Sequence, residues 1–185
     1  DGEGNLWIAT SSGIALLFPE KEELTLFEDA FPNSQLLSER GATAILHDEN
    51  GIVWIGTAGK GLDRFNLNTG GVMNFNSAIH GLPDDEIAAL NRDDSGILWI
   101  TTRTGIAKFI AMQNRVRVFN TEHGLQSSGF TRRASVKAEN GSIYFGGSDG
   151  FNIIDPQNLP APQTTPIPIL TALDFFGEEV KPGPG

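Results

Sequence analysis

Four stretches of this chain repeat one pattern, and that repeat constrains the fold more than any single residue does. The segment Asp48, Glu49, Asn50, Gly51, Ile52, Val53, Trp54, Ile55, Gly56, Thr57 returns as Asp93, Asp94, Ser95, Gly96, Ile97, Leu98, Trp99, Ile100, Thr101, Thr102. The same pattern opens the chain over residues 1–10, with Trp7 in the place of Trp54, and a weaker copy runs over 139–146. The turn glycines Gly4, Gly51, Gly96 and Gly141 are spaced by 47, 45 and 45 residues. A second glycine follows each aromatic, at Gly13, Gly61, Gly105 and Gly150, and starts another apolar run. A third run follows at 24–27, 72–75 and 116–119, and a fourth precedes the next acidic turn, at 42–46 and 87–90. One unit therefore holds four strands.

Gly, Asp and Asn at the reversals supply the positive-φ positions that tight hairpins need, so the strands are expected to be antiparallel and joined as a meander. In the second strand both faces are apolar, with Val53 and Ile55 on one side and Ile52 and Trp54 on the other. Such a strand must be covered twice. Four-stranded sheets stacked face to face around an axis give that burial, and no long segment carries the 3.6-residue period of a helical solenoid. The expected fold is all-β: a partial β-propeller of about four four-stranded antiparallel blades over residues 1–155. The first copy starts at its hairpin turn with no inner strand before it. After Asp155 come Pro156, Pro160, Pro162, Pro166 and Pro168, a density that excludes a ladder strand and predicts an extended linker over 156–168. Alternation resumes from 169 to 180, so 169–185 is expected to begin a further β-domain.

Composition narrows the partners. The chain has 13 Lys and Arg against 23 Asp and Glu, a net charge of -10, with no basic and aromatic stripe, which argues against nucleic acid. Cysteine is absent, so neither disulfides nor thiolate metal sites are available. The three histidines, His47, His80 and His123, lack zinc-site spacing, no G-x-S-x-G elbow occurs, and no acidic turn matches a calcium loop. No cofactor or metal is expected. Hairpin chemistry accounts for the acidic turns, and a Trp recurring at one place in successive units reads as core rather than a sugar-stacking platform.

Propellers bind at the mouth of the central channel, where loops entering the inner strands meet loops between the second and third strands. Those loops carry His80, Asp84, Asp85, His123, Gln126 and Ser128, and between strands Lys60, Arg103 and Asp149. Arg132 and Arg133 fall on or near an inner strand, where a long cation faces the channel. Arg103 and Arg132 are the leading candidates, because a guanidinium reads carboxylate or sulfate with a fork of donors.

The acidic turn, Gly, two apolar residues, Trp, Ile, Gly or Thr, and then Gly, Ile or Leu, two residues, Phe, resembles the two-component regulator propeller repeat, over residues 1–155. The stretch from Gly124, Leu125, Gln126 to Gly150, Phe151, Asn152 is similar to the closing blade of such propellers. The tail Ile167, Pro168, Ile169, Leu170, Thr171, Ala172, Leu173, Asp174, Phe175 resembles the start of the immunoglobulin-like domain, named for its tyrosines, that follows them. The resemblance implies a bacterial, membrane-anchored sensor with this region in the periplasm, and a histidine kinase or diguanylate cyclase as output. Its expected ligand is small, an oligosaccharide or its acidic breakdown product; its other expected partners are the rest of the sensor propeller and the immunoglobulin-like domain, to which a change in propeller position passes. Streptogramin lyases, propellers with similar Gly, Asn, Leu, Trp turns, are the rival from the enzymes, and a protein-interaction scaffold is the third possibility. Two uncovered blade faces and unpaired strand edges on a four-blade arc also predict self-association through either, as a dimer.

Overall fold

The computed structural model describes residues 1–159 apart from Gln35, Leu36, Arg40, Glu49 and Ser128, and beyond them two short strands. Four antiparallel sheets follow one another along the chain as propeller blades. The first holds β1 (Leu6–Thr10), β2 (Gly13–Phe18) and β3 (Glu23–Leu26). The second holds β4 (Ala44–His47), β5 (Ile52–Gly56), β6 (Leu62–Asn66) and β7 (Val72–Phe75). The third holds β8 (Ile87–Arg92), β9 (Leu98–Thr102), β10 (Ile106–Ile110) and β11 (Arg115–Phe119), and the fourth β12 (Phe130–Lys137), β13 (Ile143–Gly147) and β14 (Gly150–Ile154). Among the described residues two blades are thus four-stranded and two three-stranded, and the first sheet has the order β1, β2, β3, with β1 at its inner edge. Residues 160–168 of the expected linker lie outside the described residues. The β-domain expected over 169–185 is described only as two paired strands, β15 (Leu173–Phe175) and β16 (Glu178–Val180).

The acidic turns work as expected. Asp93 Oδ1 accepts from the backbone N–H groups of Ser95 at 2.9 Å and Ile97 at 3.0 Å, while Oδ2 accepts from Trp99 Nε1 at 2.9 Å. Asp1 repeats all three bonds, to Glu3, Asn5 and Trp7 Nε1, and Asp48 holds Asn50 and Ile52. One carboxylate therefore shapes the hairpin and orients the core tryptophan. In the second and third blades the second glycine of the repeat has a steric cause. Gly61 has a φ of 78° beside Phe75 O, and a Cβ on Gly105 would lie 2.6 Å from Phe119 O. Any side chain there would strike the outer strand of its own blade.

Three apolar clusters join successive blades. Val53, Ile55 and Phe65 pack against Ile14, Leu16 and Phe27; Trp54, Leu62 and Phe75 pack against Ile87, Ile100 and Phe109; Trp99, Ile106 and Phe119 pack against Ile143, Phe145 and Ile154. Every residue of β5 and of β9 is buried, the double burial that their two apolar faces require. Among the described residues no such cluster joins the fourth blade to the first. Their outward faces are bare: Leu6, Leu17 and Leu24 share one row of the first sheet, and Val136, Tyr144 and Ile153 one row of the fourth. Leu24 is 64 % and Ile153 54 % exposed.

Candidate functional site

The inner strands β4, β8 and β12, with β1 across from them, surround a channel. Two adjoining cavities of about 370 Å³ each lie on it. One, along the inner strands, is lined by Trp7, Ala9, Thr43, Ile45, Leu90 and Arg133, and the other, beside the entry loops at the mouth, by Ser11, Glu39, Gly41, Thr43, Arg132 and Arg133. Arg133 lines both.

Local backbone geometry puts these arginines there. The pairing of β12 with β13 slips between Phe130 and Ser135, and within the slip Arg133 adopts a φ of 62°. A bulge with a left-handed residue re-aims side chains out of the regular pleat, and such conformations cluster at functional sites. Arg132 Nη2 reaches Glu86 Oε1 at 2.8 Å, while Arg133 crosses the axis. Its Nη2 donates to Ala9 O at 3.2 Å and its Nε to Thr43 O at 3.4 Å. Its partners are neutral carbonyls, and no carboxylate among the described residues ion-pairs with it. The buried Thr43 Oγ1 beside it has no hydrogen-bond partner among the described residues.

Each loop at the mouth is held by a different device. Asp63, fully buried, accepts from Ser38 N at 2.7 Å, Ser38 Oγ at 2.9 Å and Asn74 Nδ2 at 2.8 Å. Asn152 Oδ1 accepts from Gln126 N at 2.9 Å, and Thr104 Oγ1 donates to Pro83 O at 2.8 Å.

The other residues named from sequence spread around this mouth or away from it. Arg103 stands on the β9–β10 hairpin with Asp84 Oδ2 3.7 Å from its Nε, and its side chain is 72 % exposed. Lys60 and Asp149 occupy the β5–β6 and β13–β14 hairpins, and neither lines the two channel cavities. His80 closes a short helix, α1 being Phe27–Ala30 and α2 Ser77–His80, and its Nδ1 accepts from Asn76 N at 3.2 Å. His123 does the same for the 3-10 turn Thr121–His123, with Nδ1 3.4 Å from Asn120 N. These caps follow Phe-Asn at the end of an outer strand and precede Gly-Leu, a capping signal that was legible in the sequence. Glu39 and Thr43, which line the mouth, were not singled out by sequence: Glu39 lies in a loop where nothing repeats, and Thr43 reads as part of a repeated strand.

A chain of stacked, four-stranded antiparallel blades around an axial channel is a β-propeller. The family profile described as Two component regulator propeller matches residues 36–59, which span the inner and second strands of the second blade. Histidine kinase P4 of Formosa agariphila is 24% identical over 186 residues, covering 99% of this chain and 13% of that protein. The extracellular domain of a hybrid two component system of B. thetaiotaomicron superposes with a TM-score of 0.64 at 24% identity, over 83% of this chain and 19% of that one. A catalytically inactive variant of virginiamycin B lyase from Staphylococcus aureus, solved with quinupristin, superposes with a TM-score of 0.63 at 15% identity, over 92% of this chain and 55% of that one. This chain therefore spans a small part of the signalling proteins it resembles.

Proposed function

We propose that this chain is part of the extracytoplasmic ligand-binding propeller of a membrane-anchored signalling protein, and that it relays occupancy of its channel mouth to a cytoplasmic kinase or cyclase. The profile match at 36–59 and the histidine kinase relative support the sensor assignment. The observation that carries the ligand class is the mouth cavity with Arg132 and Arg133 side by side on its wall. Adjacent guanidiniums favour a small oxyanion, and the nearby Glu39, Ser11 and open backbone suit hydroxyl groups, a combination that fits an acidic sugar.

A lyase-like activity would need a histidine beside an acid at that mouth. Two histidines serve as local caps, His47 ends β4 away from the mouth, and none lines either channel cavity. The geometry favours a binding module.

The test is a thermal-shift and calorimetry screen of the full chain with acidic mono- and disaccharides. A ligand at 100 times its Kd adds about 2.7 kcal/mol of stability. The double substitution Arg132→Gln with Arg133→Gln is expected to weaken the binding at least tenfold. Binding that survives the double substitution unchanged moves the site elsewhere, and a screen without any stabilising acid removes the ligand class.

A further inference from the structure

The mouth cavity is lined by charges of both signs, and they are not all matched. Arg132 has Glu86 Oε1 at 2.8 Å from its Nη2. Arg133 and Glu39 are left over. Among the described residues neither ion-pairs with an opposite charge, and they do not pair with each other in the cavity that both line.

The loop before β4 fixes where Glu39 stands. Its Oε2 accepts from Ala58 N of the β5–β6 hairpin at 3.1 Å. Ser38, the residue before it, is pinned at both N and Oγ by the buried Asp63. Arg133 comes from a different element, the bulged inner strand β12. One cavity of about 370 Å³ thus carries a guanidinium and a carboxylate, each without a charged partner, that the fold keeps apart.

A ligand with a single charge completes only one of these groups. A simple acid on Arg133 leaves Glu39 beside it as a like charge, and a second acid on the same ligand meets that repulsion directly, the device by which sites reject wrong partners. A hydroxyl donated to Glu39 makes a hydrogen bond but leaves its charge unmatched. An ammonium supplies both the bond and the charge. Opposite charges placed apart in one site also fix which way round a ligand sits, since charge complementarity sets specificity more than raw affinity.

We propose that Glu39 is a specificity-determining residue of the mouth, and that the ligand it selects is a zwitterion of monosaccharide size: a sugar acid with a free amino group, its acid on the guanidiniums and its ammonium on Glu39. The proposal rests on the mouth being the ligand site and narrows the acidic sugars to those that also carry a positive charge.

The test uses sugars that differ in charge at one nitrogen. Muramic acid and glucosamine 6-sulfate are zwitterions, their N-acetyl forms keep the acid and lose the ammonium, and glucosamine keeps the ammonium without an acid. Calorimetry is run on the full chain at about pH 6.5, where an amine of ordinary basicity is protonated. Each zwitterion is expected to bind about tenfold tighter than its N-acetyl form, the effect of one hydrogen bond to a charged group, and glucosamine more weakly than either. Glu39→Gln keeps an oxygen for Ala58 N and removes only the charge. In that variant the preference is expected to vanish while the N-acetyl acids bind at least as tightly as before, and Glu39→Lys is expected to turn the preference round. N-acetyl acids that bind the wild type as tightly as the zwitterions overturn the proposal and leave the mouth a site for acids. A preference that survives Glu39→Gln, as bulk at the nitrogen would give, overturns it too. So does a Gln variant that loses the N-acetyl acids, because Glu39 would then shape the loop rather than read charge. If no acid binds, with or without an ammonium, the mouth assignment falls and this proposal with it.

Discussion

The third blade and the first carry the same turn, the same carboxylate and the same tryptophan, yet they sit in different surroundings. Asp93 and Trp99 are buried between two neighbours, while Asp1 and Trp7 are covered on one side and half-exposed. The hydrogen bonds agree to within a tenth of an ångström. Local sequence thus makes the blade, and the adjacent blade decides how much its bonds are worth, as nearest-neighbour terms do in repeat proteins.

That separation can be tested. Asp93→Ala orphans a buried indole N–H and two backbone N–H groups and is expected to cost about 3 kcal/mol in denaturant unfolding, against about 1 kcal/mol for Asp1→Ala, whose donors reach water. Equal losses would mean that the turn, not its burial, sets the energy. A smaller effect concerns the bare faces. We expect the chain to self-associate through them, and Leu24→Glu with Ile153→Glu to weaken the association tenfold or more, about 1.4 kcal/mol, in sedimentation equilibrium. A wild-type chain that stays monomeric at high concentration removes that expectation.

The fourth blade sharpens the comparison from the other side. Ala138 stands where the other blades have Asp, and its N–H still bonds to Ser142 O at 2.9 Å, as Asp93 N does to Ile97 O at 3.0 Å. Ala138→Asp is therefore expected to stabilise the chain by about 1 kcal/mol, through the N–H group of Asn140 and that of Ser142, which it would take over from Asn140 Oδ1. No gain would mean that Asn140, whose Oδ1 already accepts from Ser142 N at 3.1 Å, does the same work. The smallest effect is a pH dependence. Burial, then the amino terminus, with Arg92 adding to them and Asp48 opposing, hold the His47 imidazole below its ordinary 6.5. The unfolded chain then takes up its proton first as pH falls, so this contribution is whole above about 6.5 and is lost below it, down through the folded-state value. His47→Gln is expected to flatten the melting temperature over that window.

The blades were legible because their chemistry recurs. A glycine forced by the Phe75 and Phe119 carbonyls in two blades, or an Asp that holds two N–H groups in three, leaves its mark as the unit is rebuilt. The mouth repeats nothing. Asp63, Asn152 and Thr104 tether three entry loops in three ways, so no period could reveal them. The expectation that an arginine of the inner strand faces the channel followed from strand position alone. Which arginine reaches the axis depends on the register slip before Ser135 and on the left-handed Arg133, and neither leaves a glycine to mark it.

An oxyanion of the kind proposed would meet cationic groups at the axis of a chain with net charge -10, and that contrast would set how fast it arrives. Farther away than the screening distance of about 10 Å at 0.1 M salt, an approaching anion meets little field; in dilute buffer it meets mostly repulsion, and the guanidiniums act only in the last few ångströms. Added salt should therefore speed encounter while loosening the final complex. Capture that quickens and release that quickens faster is the kinetic signature of a short-range positive well in a negative body.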